Sequence, residues 1–228
     1  MANVDPAPAP RAAPRTDGDR ASHLAFVAHE IRNPLATALW SAELLAKLAA
    51  EQRGGPRGEK LAGMCLRALG RVRRLVEDHL LAERLDARGV PVALDAVPAA
   101  DLVPPDASAL GAAALGVELE PGLAVATDAI LARRVLEATA LAAARGGAEV
   151  RLRGQRVGRV ARFRVEGAPA VPEDLSDRGR GDGGDGRGTA LGLAMARRAV
   201  AALSGSLSVV DGAFVVDLPA LDPDGGPA

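Results

Sequence analysis

The residues whose types and spacing could support chemistry lie near the start of the chain, where His29, Glu30 and Asn33 share one predicted helix. On a helical wheel at about 100° per residue, His29 lies about 150° from the centre of the apolar stripe, so its imidazole should face solvent. A neutral imidazole nitrogen can attack phosphorus, and Glu30 can polarise the ring N–H or accept its proton. Asn33, one turn later, can hold a water or a phosphoryl oxygen. Pro34 removes a backbone donor and should kink the helix.

The alternative interpretation is that His29 is an ordinary exposed histidine with no function. The longer motif around it argues against that interpretation. Residues 29–35 read HEIRNPL and follow the residues FVA. This string resembles the phospho-acceptor box in the dimerisation and histidine-phosphotransfer domain of sensor histidine kinases. The resemblance implies that His29 carries the phosphoryl group, that Glu30 assists as a base and that Asn33 positions the water of the reverse, phosphatase reaction.

A glycine-rich segment near the end of the chain resembles the second glycine box of the kinase ATP-binding domain. It reads GTALGLAMARR from Gly188 to Arg198 and includes Gly192. In that family the turn opens a helix whose N–H groups meet phosphate, and a first glycine box supplies an aspartate that contacts adenine. Glu166, one methylene longer, stands in the place of that aspartate. The resemblance implies nucleotide-binding roles for Glu166, Gly188 and Gly192.

The nucleotide motifs depart from the family pattern in two ways. The asparagine box aligns with Ala138 and Ala142, and alanine has no oxygen with which to ligate magnesium. Ala168, Ala170 and Ala190 replace glycines of the two glycine boxes, and each added methyl obstructs close approach of the backbone to a ligand. We therefore expect weak or absent ATP binding, no cofactor and no metal site, with ATP and magnesium required only if the chain is a kinase.

Two long amphipathic helices must position His29. The first is predicted over residues 21–51, and the glycine- and proline-rich segment 52–58 ends it. A second apolar stripe begins at Leu61 and continues to Leu80, so the two helices should form an antiparallel hairpin. Each helix leaves apolar surface that the hairpin cannot cover, which favours a dimeric four-helix bundle. The first stripe consists of Leu24, Val27, Ile31, Leu35, Ala38, Ala42, Leu45 and Ala49.

A second domain is predicted after Gly89, where short apolar runs alternate with Pro, Gly and Asp. Asp128 should cap a helix that continues to about Arg145, and residues 189–203 should form another helix. A hairpin should turn at Asp211-Gly212. Strands are predicted at 117–119, 123–126, 149–153, 159–165, 206–210 and 213–218. Helices combined with antiparallel strands predict an α+β fold with a two-layer sandwich, which the resemblance identifies as the histidine-kinase ATPase type.

The predicted organisation has four parts. Residues 1–20 form a disordered tail, 21–88 the helical hairpin, 89–220 a degenerate ATPase-like sandwich and 221–228 a second disordered tail. Within the sandwich, the Gly-, Asp- and Arg-rich segment 176–188 is predicted to be a mobile loop.

Composition and charge exclude several classes of protein. The 28 basic and 29 acidic side chains give a net charge of −1, which argues against a nucleic-acid binder. The single cysteine excludes an intramolecular disulfide and a multi-cysteine zinc site. No window reaches the roughly 18 apolar residues of a membrane span, and the N-terminus lacks the apolar region of a signal peptide. We therefore expect a cytoplasmic protein.

Three functions are compatible with these motifs. The favoured one is a homodimeric histidine phosphotransferase that passes phosphoryl groups between receiver-domain aspartates and His29 without ATP. Its partners would be response-regulator receiver domains and an upstream hybrid histidine kinase. The second is a divergent sensor histidine kinase that autophosphorylates His29 with ATP. The third is a non-catalytic pseudo-kinase scaffold that binds a receiver and transfers nothing.

Overall fold

A computed structural model describes residues 17–87, 90–104, 110, 114–144, 147–167 and 189–221, with side chains from Leu24 onward in the first range and from Ala190 onward in the last. Within these ranges the chain forms a helical hairpin followed by a domain of two helices and two sheets. The predicted α+β fold is therefore confirmed. The predicted mobile loop 176–188 lies outside the described residues.

The hairpin consists of α1 (Asp17–Lys47), the short α2 (Ala50–Arg53) and α3 (Pro56–Asp86). The start of α1 corrects the sequence prediction, because residues 17–20 are helical and not part of a disordered tail. Extending a helix that already exists costs little, so it needs no apolar periodicity of its own. Pro56 occupies the first turn of α3, where its missing N–H breaks no helical hydrogen bond.

The seam between α1 and α3 is narrower than the predicted stripe. The buried positions of α1 include Val27, Ala38 and Ser41, whereas Leu24, Leu35 and Ala42 are exposed. In α3 the buried apolar residues Leu61, Ala68 and Leu75 recur at intervals of seven. A single partner helix covers only such a heptad seam, so the rest of each apolar stripe stays outside the hairpin.

One side of the hairpin carries large apolar side chains that no other part of the described chain covers. We call this surface the open flank. It consists of Leu24, Leu35, Leu39, Leu66, Leu69, Val76 and Leu80, all of which are exposed. At about 100° per residue these side chains lie on the same side of their two helices. Contiguous exposed apolar surface of this kind is typical of a protein interface.

The second domain contains two helices, seven strands and a 3₁₀ turn among its described residues. In chain order they are β1 (Asp95–Pro98), the 3₁₀ turn (Ala99–Leu102), β2 (Leu115–Leu119), β3 (Ala124–Thr127), α4 (Ala129–Ala143), β4 (Val150–Val157), β5 (Val160–Glu166), α5 (Thr189–Ala202), β6 (Ser206–Val210) and β7 (Ala213–Pro219). Five strands form one sheet in the order β2-β4-β5-β7-β6, and they pair antiparallel except β2 and β4, which are parallel. A small antiparallel sheet joins β1 to β3, and β1 was not predicted because it is short and contains proline.

Local signals in the second domain act as predicted. Asp128 caps α4, because its Oδ1 accepts hydrogen bonds from the backbone N–H of Ile130 and Leu131 at 3.0 and 3.1 Å. Asp211 and Gly212 both adopt positive φ, at 51° and 72°, and form the turn between β6 and β7. Leu221, which the sequence analysis assigned to the C-terminal tail, is hydrogen-bonded to the domain, since its N–H donates to the carbonyl of Ala124.

The second domain and the hairpin share one hydrophobic core. Helices α4 and α5 cover one face of the five-stranded sheet, and Phe163 and Phe214 are fully buried between the layers. Ala82 of α3 belongs to the same buried cluster, and Leu81 and Leu85 pack against it. The last two turns of α3 are therefore part of the second domain's core.

Candidate functional site

The turn of α1 that carries His29 is held from the opposite side of the helix. Val27 is buried in a cluster with Leu75 of α3 and Leu191 of α5, and Phe26 and Ile31 pack against this cluster. Two residues later the helix has turned by about 200°, so His29 points away from the cluster and is exposed. The predicted exposure of His29 is confirmed.

The other two residues of the motif follow His29 on α1 and lie in the same direction round the helix from it. Glu30 is half-buried and lies about 100° further round α1, and Asn33 is exposed. The carbonyl of Asn33 accepts a hydrogen bond from Thr37 Oγ1 at 3.2 Å, and α1 continues through Pro34 to Lys47. The three polar groups therefore border one solvent approach, and their chemical roles stay predictions.

The region expected to hold nucleotide is packed by small side chains. Ala138 and Ala142 are buried in α4, with 6% and 3% of their surface exposed, and Gly192 is buried in α5. A methyl group added at Gly192 would lie 3.6 Å from the Cβ of Ala138 and 3.5 Å from Oδ2 of Asp78. Gly192 therefore lies where α4, α5 and α3 meet.

Glu166 is placed away from Gly192. In β5 the buried residues Ala161, Phe163 and Val165 alternate with Arg162, Arg164 and Glu166 on the other face of the sheet. The Glu166 carboxylate accepts a hydrogen bond from Arg164 Nε at 2.7 Å and lies 3.5 Å from Arg153 Nη1. The hydrogen bond from Arg164 lowers the pKa of Glu166, despite partial burial, and Arg153 lowers it further.

The residues that align with the magnesium and adenine positions of the kinase pattern differ from that pattern in their chemistry. The side chains at 138 and 142 offer no oxygen, and Glu166 is engaged by two arginines on the face of the sheet that α4 and α5 do not cover. Among the described residues, no group of three or more His, Cys, Asp or Glu side chains could hold a metal ion. Gly188, Ala168 and Ala170 lie outside the described residues. Gly167 is required for packing, since a Cβ there would overlap the carbonyl of Ala143.

Ion pairs between α3 and the second domain were not predicted from the sequence. Arg134 Nη2 of α4 lies 2.7 Å from Asp78 Oδ1 and 3.4 Å from Glu77 Oε2. Arg198 Nε of α5 lies 2.8 Å from Asp86 Oδ1. These pairs join residues more than fifty positions apart, and no local pattern in a single sequence indicates such contacts.

The Asp78 carboxyl carries a strongly shifted pKa. Burial raises its pKa to about 6, with smaller increases from Glu137 and Glu77, and these effects exceed the lowering by Arg134 and Arg74. The folded chain therefore holds a proton on Asp78 at pH values where the unfolded chain has lost it. Stability from this group is present below about pH 4 and is lost as the pH rises to about 6.

We expect Asp78→Asn to remove this pH dependence. Relative to the variant, the parent protein should lose roughly 1 to 3 kcal/mol of unfolding free energy between pH 4.5 and pH 7.5, at about 1.4 kcal/mol per pKa unit. Urea unfolding of both proteins at the two pH values measures the difference, and subtraction of the variant cancels other titrating groups. Equal changes in the two proteins would show that the pKa of Asp78 is ordinary.

The sequence of the hairpin matches one protein-family model. Residues 19–88 match the model of the His Kinase A (phospho-acceptor) domain. The matched range contains His29 and nearly all of the three helices of the hairpin. Residues 19–88 are therefore similar in sequence to His Kinase A domains, and we use that name for the segment below.

Solved histidine kinases share the fold of the His Kinase A domain and the second domain together. Acinetobacter baumannii histidine kinase AdeS matches with a TM-score of 0.60 and 17% identity, over 85% of this chain and 98% of that chain. Full-length ShkA in complex with AMPPNP matches with a TM-score of 0.52 and 23% identity, over 91% of this chain and 46% of that chain. No curated protein matches the sequence significantly. The resemblance to sensor histidine kinases is confirmed in the phospho-acceptor model that residues 19–88 match and in the fold of the two domains.

Among the described residues, no helix is both long enough and apolar enough to cross a bilayer.

Proposed function

We propose that the chain is a homodimeric histidine phosphotransferase that exchanges phosphoryl groups between His29 and the aspartates of receiver domains, without ATP. A neutral ring nitrogen of His29 attacks the phosphorus of the receiver's aspartyl phosphate. The P–N bond forms as the P–O bond breaks, and the receiver's carboxylate leaves with the bonding electron pair. Glu30 stabilises the positive charge that develops on the ring, and the reverse reaction passes the group to a second receiver.

The observation that carries this proposal is the contrast between two parts of the fold. The His Kinase A domain keeps an exposed His29 with Glu30 and Asn33 beside it on α1. The second domain has buried alanines at 138 and 142, where the kinase pattern has asparagines. Phosphotransfer from a receiver needs only the first of these, because the receiver binds the magnesium ion that neutralises the phosphoryl group.

The open flank supports a homodimer. Its seven exposed apolar side chains run along both helices on the side of the hairpin that the second domain leaves uncovered. A second copy presents the same surface, so a two-fold axis along the hairpins would bury both flanks in a four-helix bundle. Each copy of His29 would stay exposed, because it lies on a different face of α1.

The second candidate is a divergent kinase that autophosphorylates His29. It is favoured by the fold shared with ShkA, whose solved structure is a complex with AMPPNP. The third candidate is a scaffold that binds a receiver and transfers nothing. Calorimetry and phosphate transfer together separate the three.

The deciding experiment titrates magnesium and ATP into the protein by calorimetry, and then incubates it with purified receiver domains phosphorylated by acetyl phosphate. We expect no heat of nucleotide binding, together with acid-labile phosphate on the chain by intact mass. Nucleotide binding with phosphate on His29 and no receiver present would establish the kinase. Failure to take up phosphate from either source would favour the scaffold.

A further inference from the structure

The second domain contributes one side chain to the core beneath His29. Leu191, in the first turn of α5, is 3% exposed and shares a buried cluster with Val27 of α1 and Leu75 of α3. Val27 precedes His29 by two residues. The turn of α1 that presents the imidazole is therefore packed on a residue from a different domain.

The second domain is fixed to α3 by charges and by shared core. Arg134 binds Asp78 at 2.7 Å and Arg198 binds Asp86 at 2.8 Å, on the stretch of α3 that follows Leu75. Ala82 lies in the second domain's own core. With α3 held at these points, Leu191 has a fixed position against α1.

We propose that the second domain is retained as a positioning element for the phospho-acceptor, in which Leu191 fixes the turn of α1 that presents His29 to a receiver. Leu191 does not touch the reacting atoms and acts through Val27. The expected effect on transfer to His29 rests on the proposed phosphotransfer function. The fixing of the α1 turn by Leu191 does not depend on that function. It also gives the second domain a role that needs no nucleotide.

The test is Leu191→Ala, with Leu193→Ala as the matched control. Both leucines are buried in α5, at 3% and 6% exposure, but Leu193 packs into the second domain's core and not against Val27. Leu191→Ala should speed amide hydrogen exchange over residues 24–33 by about tenfold or more relative to residues 40–47 of the same helix. Leu193→Ala should leave this ratio unchanged, and the volume-conserving Leu191→Met should restore it.

Transfer assays on the same variants test the consequence for His29. Leu191→Ala should lower the rate of phosphate uptake from a phosphorylated receiver about tenfold, because docking requires a fixed imidazole. Labelling by phosphoramidate, a small donor that needs no docking, should change little. An unchanged exchange ratio in Leu191→Ala, or an equal change in Leu193→Ala, would overturn the positioning role. Absence of transfer in the parent protein would instead refute the proposed function and leave the exchange result to decide the inference.

Discussion

The variant His29→Gln is expected to take up no acid-labile phosphate from a phosphorylated receiver, while its folding and oligomeric state stay unchanged. A glutamine amide has no nitrogen lone pair available for attack on phosphorus, so the loss should be complete. Because His29 is exposed and its helix is held by Val27 on the opposite side, the substitution should change the unfolding free energy by no more than about 0.5 kcal/mol. Intact-mass spectrometry before and after acid treatment measures the phosphate, and circular dichroism with light scattering checks the fold.

His79→Gln is the control for this experiment. His79 lies half-buried on α3, outside the motif, and its variant should keep the parent's capacity for phosphate. Phosphate retained by His29→Gln would assign the acceptor to another residue. A large loss of stability in His29→Gln would instead show that the imidazole is structural, contrary to its exposure.

The parts of this fold that the sequence predicts are those set by local spacing. The exposure of His29 follows from the three- and four-residue recurrence around it, and the cap at Asp128 follows from residue type. The alternation of residues in β5 also predicts on which face of the sheet Glu166 lies, and this prediction disagrees with the nucleotide-binding role that the motif comparison gave Glu166. With Phe163 inward, a period of two already places Glu166 on the outer face, away from a site beneath the helices.

The contacts that join the two domains are beyond such reasoning. Leu191 reads equally well as a core residue of its own domain, and nothing at position 27 or 75 marks it as their neighbour. Asp78 and Arg134 are ordinary charges until the fold brings them to 2.7 Å. The open flank could be predicted only in part. Periodicity predicts that the hairpin has excess apolar surface, but it does not predict which side of the hairpin the second domain covers.

A charge placed on the open flank tests whether this surface is the dimer interface. Leu39→Glu should weaken the dimer by at least about 100-fold, because a two-fold interface contains the substitution twice and each buried carboxylate costs well over 1.4 kcal/mol, a factor of ten in affinity. Sedimentation equilibrium over a dilution series measures the dissociation constant.

The adjacent Trp40 offers a matched control. Leu39 and Trp40 are similarly exposed, at 57% and 55%, but about 100° apart, with Trp40 on the face of His29 and Leu39 on the open flank. Trp40→Glu should therefore leave the dimer intact, although it places the same charge one residue away. If both variants dissociate equally, the interface includes the face of His29, and a receiver could reach that histidine only in the monomer. If neither dissociates, the flank is not the dimer interface, and its apolar side chains must be covered by something other than a second copy.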